Sequence, residues 1–233
     1  MSYIRMIACA SLGVALLTMP GALAGPDWAE QPPGAGSLPG TAQDVLVSPV
    51  KTISGELSGS SLRGLDDPDF EDMYRIYIND PLNFSARTDG ADPDGLSDSD
   101  FNSQLFLFDA NGRGLLGNVM TPFSLAPNQD GSFIAAPSDD SATPAIPGPG
   151  FYFIAISGFF NQPLADGDPI FDFPSLTTIS GPTGPGGPGV IDGWIGEGEI
   201  GSYTIYLTGV IPTPGTLAAL GIGLAVASRR RRA

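Results

Sequence analysis

The chain has 233 residues, with 25 acidic and 10 basic side chains, no histidine and one cysteine. Without histidine it lacks the usual general base, the Ser–His nucleophile pair and the commonest zinc ligand. With Lys51 the sole lysine, and Cys9 the sole thiol, most covalent chemistries are gone as well, so the composition favours a protein that is not an enzyme.

In chain order, Arg5 precedes an apolar stretch from Met6 to Met19, Pro20 and Gly21 break it, and Ala22-Leu23-Ala24 forms a small-x-small cleavage site before Gly25. This pattern predicts a secretory signal peptide over 1–24, helical in its apolar part, with cleavage directed by Ala22 and Ala24. Too little apolar sequence precedes Cys9 for a lipoprotein anchor. Cys9 therefore leaves with the signal, and the mature chain has neither disulfides nor thiol chemistry. Residues 25–49, rich in Pro, Gly, Ala and Ser around Gln31-Pro32-Pro33-Gly34, read as a flexible leader.

From 50 to 210 the chain has the size of one domain. Five of the ten basic residues are Arg5 and Arg229 to Arg232, so residues 25–210 carry Lys51, Arg63, Arg75, Arg87 and Arg113 against all the acids. Nucleic acid and anionic surfaces are poor partners for such a charge, and cations are good ones. The same charge also suits simple solubility.

Short period-2 runs follow one another. Thr52 to Leu57 is the first predicted strand, and Met73 to Ile78 alternates so that Tyr74, Ile76 and Ile78 share a face. Asn79-Asp80-Pro81 reads as a turn, with Leu82 to Ala86 returning as a hairpin partner. Gln104 to Phe108 is apolar on both faces, as in a central strand, and Asp109-Ala110-Asn111-Gly112 turns after it. Phe151 to Ser157 is the strongest β run, and Ser202 to Thr208 alternates and closes the domain. Ser180 to Gly189 is Gly/Pro-rich loop without a sustained Gly-every-third pattern, which argues against collagen. No part of the body shows a 3.6-residue period. The fold class expected is all-β, an antiparallel β-sandwich or jelly roll with long loops.

Two acidic clusters stand out, Asp66-Asp67-Pro68-Asp69-Phe70-Glu71-Asp72 and the set Asp89, Asp92, Asp94, Asp98 and Asp100. Carboxylates this dense repel unless neutralised, and Ca²⁺, which takes six to eight oxygens, is the natural counter-ion outside the cell. The EF-hand template fails, because Gly90 stands where its first acid belongs and no Glu closes the loop. Trp28, Trp194, Phe159 and Phe160 are candidate sugar-stacking platforms or core anchors. Glu197 and Glu199 are a weak candidate for a carboxylate pair, since nothing in the sequence fixes the separation that glycoside hydrolysis needs.

The chain finishes with Ile211-Pro212-Thr213-Pro214-Gly215, an apolar run, then Arg229, Arg230, Arg231, Arg232 and Ala233. Residues 214–228 make a helix of about 22 Å at ~1.5 Å per residue. That is short against a hydrocarbon core of about 30 Å, which usually takes about 20 residues. Bilayer thinning, or the use of Val210 and Ile211 in extended form, closes the gap, and the arginines stay cytoplasmic. This predicts a sorting tail over 211–233 with a short transmembrane helix at 214–228 and an arginine cluster at 229–232. The order Pro-x-Pro-Gly, apolar segment, arginine cluster resembles the PEP-CTERM sorting signal of Gram-negative bacteria, with Thr213 in place of the usual middle Glu. The resemblance implies that Pro212, Thr213, Pro214, Gly215 and Arg229 to Arg232 are read by an exosortase, with a transient inner-membrane intermediate before release or attachment at the cell surface or extracellular matrix.

The order of strands is also similar to the bacterial pre-peptidase C-terminal type of β-sandwich. The segments that carry the likeness are Asp69 to Ile78, Ser103 to Gly112, Gly150 to Ser157 and Gly201 to Gly209, with long inserts around 121–149 and 159–198. Modules of that family mostly bind, space or stabilise. The resemblance implies a Ca²⁺ set at Glu71, Asp72, Asp98 and Asp100. Taken together, the chain reads as a secreted, non-catalytic surface or matrix protein with a structural or adhesive role in an extracellular polysaccharide layer. The alternative is a carbohydrate-binding module or a carboxylate-based polysaccharide hydrolase.

Overall fold

A computed structural model describes residues 28–45, 50–59, 69–88, 99–121 and 131–210. The expected signal peptide and sorting tail lie outside these residues. Among the described residues the protein is all-β, with no helix.

The strands form three sheets. The first runs, in spatial order, β1 (Trp28–Ala29), β3 (Thr52–Leu57), β13 (Gly201–Thr208), β5 (Ser85–Arg87) and β8 (Phe133–Ala135). The second runs β2 (Gln43–Asp44), β4 (Glu71–Ile78), β9 (Gly150–Gly158), β6 (Ser103–Phe108) and β7 (Gly114–Asn118). A three-stranded sheet is built from β11 (Asp168–Pro169), β10 (Pro163–Ala165) and β12 (Gly193–Trp194). None of the sheets closes on itself.

The alternation predicted for β4 holds. Tyr74, Ile76 and Ile78 are buried in one core with Leu105 and Leu107 of β6 and Ile154 and Ile156 of β9. From the first sheet, Ile53 and Leu57 of β3 and Tyr203, Ile205 and Leu207 of β13 join the same cluster. Two sheets sharing one core is the sandwich-like arrangement expected. The longest ladder in the second sheet pairs β4 with β9 from Glu71↔Ser157 to Ile78↔Gly150.

The opposite face of the second sheet is buried too. Met73, Phe106, Phe108, Phe153 and Ala155 point away from the first core into a second one, closed by Ala165, Ile170, Phe171 and Ile191. Phe171 lies 5.5 Å from Phe106 and 6.2 Å from Phe108, ring centre to ring centre. The insert at 159–198, expected as long loop, is therefore a third layer. Its cause is the two-faced apolar pattern of β6 and β9: a single partner sheet covers one face, and the other needs its own cover. Each buried aromatic or aliphatic side chain there contributes about 1.5–3 kcal/mol relative to exposure.

Three further expectations are corrected. Part of the leader carries strands: β1 pairs parallel with β3 and β2 parallel with β4, so residues 28–45 border both large sheets. Trp28 packs against the first core, and Arg75 grips Asp44 with its Nη2 at 2.7 Å, which fastens this stretch. The sandwich is accordingly not purely antiparallel. Finally, Leu82 to Ala86 is not a hairpin partner of β4. After the turn, whose Asn79 and Asp80 amides donate to the Gly209 carbonyl, the chain crosses to the other sheet, where β5 pairs with β13 and β8. Phe84 and Ala86 enter the shared core, while Leu82 stands 90% exposed on the bend.

Candidate functional site

Two polar constellations sit on this frame. The first is internal. Strand β4 turns its even-numbered residues inward, so Asp72 and Tyr74 face the first sheet. The Tyr203 hydroxyl of β13 donates to Asp72 Oδ2 at 2.5 Å and lies 2.6 Å from the Tyr74 hydroxyl. With the Tyr203 proton committed to Asp72, Tyr74 donates to Tyr203. Gly55 of β3, paired opposite Tyr203, makes room for this: a Cβ there would lie 2.4 Å from the Tyr203 hydroxyl. Burial, with Asp72 beside it, pushes the Tyr74 phenol well above its ordinary value, and burial does the same to Tyr203. Both phenols stay protonated donors. Glu30, which accepts from the Ala35 and Glu56 amides at 2.9 and 3.1 Å, is raised by its own burial against the lowering effect of those bonds. All three residues of the chain are closed from solvent, and the arrangement ties one sheet to the other.

The second constellation faces solvent. A cleft of about 280 Å³ opens where the start of β4 meets the chain around β12. Its lining includes Ser37, Leu38, Phe70, Trp194, Glu71 and Glu197. The Trp194 indole Nε1 donates to the Ser37 carbonyl at 2.9 Å, and its ring meets Phe106 edge-on at 5.6 Å. Trp194 is thus both part of the third layer's cover and part of a cleft wall.

Asn161, fully buried, organises that wall. Its Nδ2 donates to Glu71 Oε1, and its Oδ1 accepts from the Gly196 amide at 3.2 Å. Its own carbonyl accepts from Gln104 Nε2 at 3.0 Å and Ser157 Oγ at 2.6 Å. One side chain therefore joins the two segments that carry Glu71 and Glu197, and is itself anchored to β6 and β9. The residue before it, Phe160, has φ +71° and is 74% exposed, an unusual conformation for a side chain with a Cβ. Its ring lies 4.1 Å from that of Phe159.

The sequence-predicted residues distribute as follows. Glu71 and Asp72, neighbours on β4, point to opposite faces: Asp72 into the sandwich, Glu71 to Asn161 and the cleft. Asp100 is exposed and accepts from Ser202 Oγ. Asp98 lies outside the described residues, as do Ala22, Ala24, Pro212 to Gly215 and Arg229 to Arg232. Among the described residues no three carboxylates converge as a metal-ligand group. Glu199 is held by Asn102 through its amide at 2.9 Å and Nδ2 at 3.0 Å, whereas Glu197 is exposed at the cleft. Of the aromatics proposed as platforms, Trp28 donates to Gln43 Oε1 at 3.3 Å beside the first core, and only Trp194 borders the cleft. Sequence reasoning missed Asn161, an asparagine in no recognisable motif. The one signal was its place three residues after the longest strand.

No family model matches the chain, and no curated protein matches it.

Proposed function

We propose that this is an exported, non-catalytic protein of the bacterial surface or extracellular matrix, sorted through its tail by an exosortase-type system. One observation carries the reading: the three-part order of residues 212–232, a Pro-x-Pro-Gly punctuation, an apolar run and four arginines, in a chain that also opens on a charged, apolar, small-x-small leader. The described body agrees with a load-carrying or adhesive module. Its buried polar groups, such as the Asp72–Tyr203–Tyr74 chain and Asn161, are spent on tying layers together. The tail inserts in the inner membrane, its arginines remain cytoplasmic, and the body folds outside.

Mass spectrometry of both ends of the protein from its native host tests this. The expected mature form begins at Gly25 and has lost or modified its arginine block. Intact protein dissolved in the cytosol would overturn the reading. Ca²⁺ belongs to the same proposal as a counter-ion of the acidic segment leading to Asp100. Calorimetry with millimolar Ca²⁺ should give heat and a higher melting temperature, and neither appearing removes the ion from the account.

One observation favours a second reading, carbohydrate binding: Trp194 and Glu197 line one cleft. A glycan pull-down that fails in Trp194→Ala but survives in Trp28→Phe supports it. A hydrolase in place of a binder requires polysaccharide cleavage that Glu197→Gln abolishes.

A further inference from the structure

The cleft beside Trp194 has three properties that together define a ligand. Its walls are fixed, because Asn161 is fully buried and bonded to Glu71, to the Gly196 amide, and through its carbonyl to β6 and β9 side chains. Its apolar lining comes from Leu38, Phe70 and Trp194, and the indole N–H is already spent on Ser37, so toward a ligand Trp194 offers ring surface. Its charge comes from Glu71 and Glu197, and among the described residues that line it none is basic.

We propose that this cleft binds one residue of an amine-bearing polysaccharide, a hexosamine whose amino group is free and charged. The C–H face of a sugar ring packs on an aromatic surface, and an ammonium group is attracted both to carboxylates and to an aromatic face. A neutral sugar donates hydroxyl hydrogen bonds to the two carboxylates but brings no charge to offset them in a body with so few basic residues. An anionic sugar is repelled by it. The volume, about 280 Å³, sits just under the ~300 Å³ lower bound usual for small-molecule sites and suits a single ring. A lysine side chain would leave much of that space to water.

This inference deepens the carbohydrate-binding reading and presumes export to a place where such a polymer is met. The test uses the full chain in a Trp28→Phe background, so that Trp194 is the only indole. Three probes are titrated at low salt with the amine charged: a glucosamine tetramer, its fully N-acetylated counterpart and tetralysine. The expected result is a saturable change in Trp194 fluorescence with the glucosamine tetramer. Binding should be at least about tenfold weaker for the N-acetylated form and in Glu197→Gln, an exposed substitution that leaves the melting temperature unchanged. Equal binding of the N-acetylated tetramer, equal binding of tetralysine, indifference to Glu197→Gln, or no fluorescence change would each overturn the proposal. None of these results touches the reading of export, which stands or falls on the chain termini and the cellular location.

Discussion

Replacing Phe171 by alanine tests the three-layer architecture directly. Phe171 is 2% exposed, in contact range of the Phe106, Phe108 and Phe173 rings at 5.5 to 6.2 Å, and it closes the outer face of the second sheet. Truncating a buried phenylalanine costs about 3–5 kcal/mol, through lost transfer energy and the cavity left behind. A residue in a solvated loop would cost within about 0.5 kcal/mol. For a domain of this size each kcal/mol lowers the melting temperature by about 2–4 °C, so Phe171→Ala should lose roughly 6–20 °C. Thermal melting followed by far-UV circular dichroism, with urea unfolding in parallel, measures both quantities. The urea slope should stay near that of the parent if the rest of the molecule is intact. Leu82→Ala, at a side chain 90% exposed, is the control and should change little. A Phe171→Ala protein that melts within about 2 °C of the parent would refute the claim that the 159–198 segment is core rather than covering loop.

Three other outcomes are expected. Tyr203→Phe removes the hydroxyl between Tyr74 and Asp72 and should cost about 1–3 kcal/mol, Tyr74→Phe about 0.5–1.5 kcal/mol, and the double variant should depart from their sum by at least about 0.5 kcal/mol; urea midpoints that add cleanly would dissolve the network. Gly158→Ala would place a Cβ 1.9 Å from the Glu199 carbonyl oxygen and 2.3 Å from its amide nitrogen, where only backbone can yield, so unfolding should show a loss at or above the ~1–3 kcal/mol usual for overpacking. Glu30, raised by burial, takes up a proton more readily folded than unfolded, so its contribution to stability is complete below the ordinary carboxylate range and is lost as pH rises through the raised folded value. Glu30→Gln keeps one acceptor oxygen and cannot ionise; relative to the parent it should gain in urea midpoint between about pH 4 and about pH 7, and a pH-independent difference would count against the assignment.

Strands that bury one or both faces regularly were legible in the sequence. The alternation of Met73 to Ile78, the two-sided apolarity of Gln104 to Phe108 and the Phe151 to Ser157 run each became the strand expected. The third layer was not legible in the segment that builds it. Ile170, Phe171, Ile191 and Trp194 follow no period, because they are placed by distant backbone bonds: Ile170 N to the Pro163 carbonyl, Gly184 N to the Ile170 carbonyl, Ile191 N to the Gly112 carbonyl. The signal lay elsewhere, in Phe106 and Phe108, since a strand apolar on both faces calls for a cover on each. The leader was misjudged for a related reason. Two-residue strands such as Trp28–Ala29 and Gln43–Asp44 are too short to show alternation, and their Pro/Gly-rich surroundings resemble a linker until the edges they border are known. Of the cleft, Glu71, Trp194 and Glu197 were visible as residue types. Their convergence depends on Asn161, whose partners lie 90 and 35 residues away.

The position of β13 has a consequence for how the molecule comes to be. It lies in the interior of its sheet, between β3 and β5, yet it is the last strand in the described chain, with Tyr206 set against Thr52. The second large sheet has all its members once β9 is present. A polypeptide made from its N-terminus onward can therefore assemble that half early, but the other half stays a set of unconnected ribbons until β13 emerges. Closing so distant a pair is slow. During that wait the greasy inner surface of the finished sheet is bare, which makes the interval before residues 201–208 arrive the moment when a chaperone, or a misjoined neighbour, would find the most to hold.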